Sequence, residues 1–222
     1  MIDINSIGRS VESSGDDKTV VALTRTYDAE IADVWDAVTN PERLSRWFLP
    51  IEGDLRVGGT YQLKGNAGGT ILTCEPPRRL LVTWVFAPEP TERDITEVEV
   101  RLREDGDKTL LELRHEATVD PAMWSQFGPG AVGVGWDLTL LGLDMHLEHG
   151  GGVDDPDAWS ASPVGRDFIA RSSEAWGEAS LAFGRPADEV AAAVAATTAF
   201  YTPPADGESA EGNPEDPAAP TA

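Results

Sequence analysis

The chain has 222 residues, with 39 acidic side chains against 17 basic ones and a formal net charge of −22 at pH 7. So anionic a protein is poorly suited to nucleic acid or an anionic membrane face, both of which need cationic groups against phosphate. A hydrophobic content of 41% with seven Trp argues for a packed core, and the single cysteine, Cys74, excludes an intramolecular disulfide or a multi-cysteine metal site.

Residues 1–17 carry four acids and one base and no apolar run, so they read as a weakly ordered N-terminus. They have neither the basic nor the apolar stretch of a secretory signal, and no run of about 18 apolar residues follows, so a cytoplasmic location is expected. Thr19–Tyr27 is rich in β-branched residues and predicts a strand. Asp28 is placed to cap a helix over Ala29–Thr39, where Ile31, Val34, Trp35 and Val38 recur at helical spacing. Asn40-Pro41 ends it and opens a short helix to Trp47.

Short strands then alternate with turn signals: Leu55–Val57, Thr60–Lys64, Thr70–Glu75, Leu80–Phe86, Ile95–Arg103 and Lys108–Thr118. In the last two, Val98, Val100 and Leu102, and Leu111, Leu113 and His115, fall on one face, with charged residues on the other. This pattern predicts an antiparallel sheet with one wet and one covered face. The glycine cluster Gly65–Gly69 matches neither a phosphate loop nor a dinucleotide fingerprint and reads as a hairpin.

Val132–His149 predicts the long helix that covers the sheet. Asp137, Asp144 and Glu148 share one narrow stripe, and Gly135, Thr139, Gly142 and His146 lie opposite. Taking the acids as the wet side puts the small and polar stripe over the sheet. Ser162-Pro163 opens a further helix, and Ala187–Tyr201 forms another, stopped by Pro203-Pro204. The implied organisation is a main α+β domain over 18–149, a docked helical extension over 150–202, and a disordered Pro/Ala-rich acidic tail over 203–222.

Asp28–Pro41, Arg46-Trp47-Phe48, Arg56–Tyr61 and the Gly135-Trp136-Asp137 helix start, in that order, resemble the SRPBCC (START-like, helix-grip) superfamily. Within it they resemble the family related to the C-terminal domain of the activator of the 90-kDa heat-shock chaperone ATPase. Ser172–Ala179 and Thr197–Tyr201 resemble an extension found in actinobacterial members. The resemblance implies a helix-grip fold, a curved antiparallel sheet wrapped around a long helix with a cavity between them.

On that basis the expected function is non-catalytic binding of a small apolar or amphipathic molecule, in a stress-related or chaperone-accessory role, with a protein as a further partner. One alternative is an enzyme of the polyketide cyclase or aromatase kind. Another is an interaction module whose C-terminal helices fill or cap the cavity mouth. The cavity candidates are Tyr61, Leu63, Leu72, Trp84, Phe86, Val100, Leu113, His115, Gly135, Thr139, Gly142 and His146, with Cys74 and Val82 beside them. A solid, dry core with no enclosed volume above about 300 Å³, the lower end of ligand pockets, would overturn the cavity reading. His115 reads either as a ligand contact or as a core histidine satisfied by a neighbour. His146 and His149 are offset on their helix and Glu148 faces away, so neither a metal nor any other cofactor is expected.

Overall fold

The computed structural model describes residues 4–15 and 17–202. The tail assigned to 203–222 lies outside the described residues, as do residues 1–3. Among the described residues eight strands form one antiparallel sheet: β1 (Gly8–Ser13), β2 (Lys18–Tyr27), β3 (Ile51–Gly53), β4 (Thr60–Leu63), β5 (Gly68–Glu75), β6 (Arg79–Trp84), β7 (Thr96–Asp105) and β8 (Lys108–Thr118). Their spatial order is β1-β2-β8-β7-β6-β5-β4-β3. The helices are α1 (Ile31–Thr39), α2 (Pro41–Trp47), α3 (Pro121–Phe127), α4 (Gly130–His149), α5 (Pro156–Ala161), α6 (Pro163–Ala182) and α7 (Ala187–Tyr201). None is long and apolar enough to cross a membrane.

The fold is α+β, with the curved sheet gripping α4. The alternation read in β7 and β8 holds: Val98 pairs with His115, Val100 with Leu113, and Leu102 with Leu111. Their inner face joins Leu23, Val134, Leu140 and Leu143 in one core. The outer face is less wet than the alternation implies. Glu99 is buried between Arg79 at 2.6 Å and Arg101 at 2.8 Å. Burial raises its carboxyl, but the two guanidinium groups outweigh that and hold it below the ordinary carboxylate range.

Several segments differ from the sequence reading, among them α1, which starts at Ile31 after Glu30 and without a cap from Asp28. Residues 8–13, inside the stretch taken as weakly ordered, form β1 on the edge of β2, where Val11 faces Val21. Residues 55–57 are a turn rather than a strand, and β3 lies just before them. In that turn Gly58 has φ +81, a Cβ on Gly59 would meet the Asp54 carbonyl oxygen, and Val57 is 55% exposed. Finally, α3 and α5 go unread in the sequence although each opens with a helix-start signal. Asp120-Pro121 and Asp155-Pro156 repeat the logic of Asn40-Pro41 and Ser162-Pro163. In all four a side-chain oxygen accepts a first-turn N–H, and Pro supplies the next residue.

The C-terminal helices α6 and α7 pair with each other, α6 also lying on α4 and β1 and α7 on α4 and α3. Trp176 of α6 reaches α4 at Gly133, where an added Cβ would sit 2.2 Å from its indole. The Gly133→Ala exchange therefore costs about 1–3 kcal/mol through overpacking, and its check is a lower urea midpoint with an unchanged slope.

Candidate functional site

A cavity of about 180 Å³ lies between the inner face of the sheet and α4. Its floor comes from alternate residues of neighbouring strands: Tyr61 and Leu63 from β4, Val82 and Trp84 from β6, Val98 and Val100 from β7, and Leu111 and Leu113 from β8. Its roof is Trp136, Thr139, Leu140 and Leu143 of α4. Val38, Leu44, Trp47, Phe48 and Ile51 close one side. The exposed lining residues Leu55, Arg56 and Cys74 mark the mouth.

Of the residues singled out in the sequence, Tyr61, Leu63, Trp84, Val100, Leu113 and Thr139 meet here, with Val82 and Cys74. Leu72 does not. The register between β5 and β6 slips by one residue between Ile71 and Thr73. This bulge leaves Leu72 unpaired and 38% exposed, and turns Ile71 and Cys74 both toward the cavity. Phe86 lies beyond the end of β6, 41% exposed, and meets only the edge of Trp84.

His115 also lies outside this cavity. It is buried, and its ring is saturated by neighbours. Trp136 donates its indole N–H to His115 Nδ1 at 3.1 Å, so the ring proton sits on Nε2 and is given to Thr96 Oγ1 at 2.8 Å. Thr96 in turn donates to the Trp84 carbonyl. Burial holds the His115 pKa down to about 4, so the ring is neutral. It is the core histidine of the two readings.

Gly135, Gly142 and His146 likewise fail to line the cavity. Gly142 faces the carbonyl oxygen of Trp47, and His146 Nε2 accepts from Arg43 Nε at 3.0 Å. Burial, and then the Arg43 charge, lower the His146 pKa. The inward face of α4 is thus one residue further round, at Trp136, Leu140 and Leu143. The cause is Asp137, which is not on a wet stripe but wholly buried. Its Oδ2 accepts from Arg9 at 3.0 Å, Ser172 at 2.5 Å and Trp176 at 3.1 Å. Burial pushes this carboxyl up against the pull of Arg9. Asp137 is covered by β1 and α6, and Asp144 is half-buried against Arg25 of β2, so of the three acids on that stripe only Glu148 is exposed.

The hydroxyl groups on the cavity wall have their protons committed. Tyr61 Oη donates to the Thr83 carbonyl at 2.7 Å, and Thr139 Oγ1 to the Gly135 carbonyl at 2.9 Å. Arg56 at the mouth holds Asp54. Among the described residues no group of three or more His, Cys, Asp or Glu side chains could hold a metal ion. Nor does any lining residue come from α6 or α7, so these helices do not cap the mouth.

A family model described as activator of Hsp90 ATPase homolog 1-like protein matches residues 28–148. The crystal structure of CalU16 from Micromonospora echinospora is 39% identical, with a TM-score of 0.59 over 78% of this chain and 94% of that one. Its solution structure is 38% identical, with a TM-score of 0.61 over 80% and 94%. The likeness to CalU16 thus reaches beyond the span of the family model. DynU16, from the dynemicin biosynthetic locus, shares the fold at 24% identity and a TM-score of 0.50, over 62% of this chain and 49% of that one. No curated protein matches.

Proposed function

The chain belongs to the activator of Hsp90 ATPase homolog 1-like family, of SRPBCC type, and from that premise we propose that it binds a small apolar molecule in the cavity under α4 without reacting with it. The observation that carries this reading is the wall itself. Its surface is aliphatic and aromatic, and the hydroxyl protons of Tyr61 and Thr139 are already given to backbone carbonyls. Such a wall favours burial of apolar ligand surface and offers no free base to a substrate. The cyclase or aromatase alternative rests on His115, His146, Tyr61 and Thr139, and each of these is engaged with a partner within the chain.

The size corrects the expectation. At about 180 Å³ the cavity lies below the roughly 300 Å³ at which drug-sized pockets begin. It is nevertheless on the scale of apolar cavities of about 150 Å³ that take up benzene. The fitting ligand is therefore one or two fused rings, or a short branched chain. Binding of any larger molecule requires the mouth between α2 and the 54–59 turn to widen.

Indane, a two-ring hydrocarbon, should perturb the NMR signals of Leu63, Val82, Leu113 and Leu140 with saturable binding. Filling the space by Val100→Phe should weaken that binding at least tenfold while changing stability by no more than about 1 kcal/mol. A loss of several kcal/mol in that variant, or indane signals unaffected by it, would reject the cavity reading.

A further inference from the structure

One buried donor on the cavity wall has no acceptor. Trp84 is 6% exposed, its ring lies against Tyr61 and Trp136, and its Nε1–H is buried without a hydrogen-bond partner. The other two buried indoles are paired, Trp136 donating to His115 and Trp176 to Asp137. Buried indole N–H groups ordinarily find an acceptor, because leaving one dry forfeits its bond to water. The exception occurs on a ring that walls the cavity.

Building on the cavity reading, we propose that the ligand carries a carbonyl or ether oxygen that accepts the Trp84 Nε1–H, so that the preferred class is a compact cyclic ketone or aryl ether rather than a pure hydrocarbon. The rest of the wall supports one acceptor and little more polarity. The Tyr61 and Thr139 protons are spent, and the remaining floor and roof are apolar. A carboxylate or a polyol would lose its water without replacement there. An apolar body with a single acceptor loses little, and it relieves the one unpaired donor on this wall. In specificity terms, a site with a buried unpaired donor discriminates against the analogue lacking the acceptor.

The test compares indane with indan-1-one, which differ by one carbonyl, on the full chain. The Trp84 indole N–H resonance, assigned by its disappearance in Trp84→Phe, should move downfield on adding indan-1-one and stay near its free position with indane. The ratio of the indane Kd to the indan-1-one Kd should fall about tenfold in Trp84→Phe, a double difference that cancels the solvation of the two probes. If both probes bind wild-type protein but the resonance responds alike to each, the acceptor inference is wrong and the cavity reading stands. If neither binds, both fall. The wild-type resonance decides the matter even where the Phe variant folds poorly.

Discussion

Replacing Asp137 by alanine lowers stability by about 3–5 kcal/mol, seen as a large drop in the urea midpoint. The reason lies in what is left behind. The Arg9 side chain is only 6% exposed, and its Nε would lose the carboxylate 3.0 Å away. Ser172 and Trp176 would lose the same acceptor. An uncompensated guanidinium beneath α6 costs far more than the pair contributes when intact. The Asp137→Leu, Arg9→Met double variant should accordingly be less damaged than the sum of its parts, by more than about 1 kcal/mol. Strict additivity would mean that the two residues do not act as a pair. Loss of this group also uncouples β1 and α6 from α4, so hydrogen exchange in residues 8–13 and 163–182 should rise first.

The His115→Ala variant loses about 3–5 kcal/mol. Abandoning the Trp136 indole N–H costs about 1–3 kcal/mol, and the cavity left by the ring adds the rest. A variant of wild-type stability would show that the imidazole is dispensable to the core. The same residue sets an acid limb of stability. Its folded pKa of about 4 lies below the ordinary 6.5, so the neutral ring is the folded form. Its contribution is complete above pH 6.5 and is lost as the pH falls toward 4, amounting to about 3 kcal/mol over the window. His146, also lowered, adds to this limb, while Asp137, raised by burial, acts with the opposite sign. Both persist in the variant, so the difference between wild type and His115→Ala isolates the slope of one proton between pH 6.5 and 4. Equal slopes in the two proteins would contradict a buried neutral ring.

Trp84 was legible as a cavity residue because it follows Val82 at strand spacing, and Val100 and Leu113 were legible in the same way. Leu72 was not, because a one-residue bulge reverses the alternation and leaves no local mark in Thr70–Glu75. Val38 was read as a helix residue, Trp47 as the end of the short helix, and Phe48 only as part of the family motif. That they wall a cavity depends on where α2 lands, which is set by backbone contact at Gly142 and Gly152. The starts of α3 and α5 carried an Asp-Pro signal that could have been read, since the same chemistry identified α2 and α6.

By itself the sequence determined the strand alternation of β7 and β8, the Pro-opened starts of α2 and α6 and the family pattern over about residues 18–149. All of these are local: a period of two, or a cap and its N–H, is complete within a few residues. Tertiary structure alone decided which way α4 faces, what satisfies His115 and how large the cavity is. An amphipathic pattern names an inward face only when a helix has one neighbour, and α4 packs against both the sheet and α6. The partners that bury its Asp137 stand 128, 35 and 39 positions away along the chain. No periodicity in Gly130–His149 encodes them. Among the acids counted in the −22 charge of the chain, Asp137 is an interior group that holds the long helix in place.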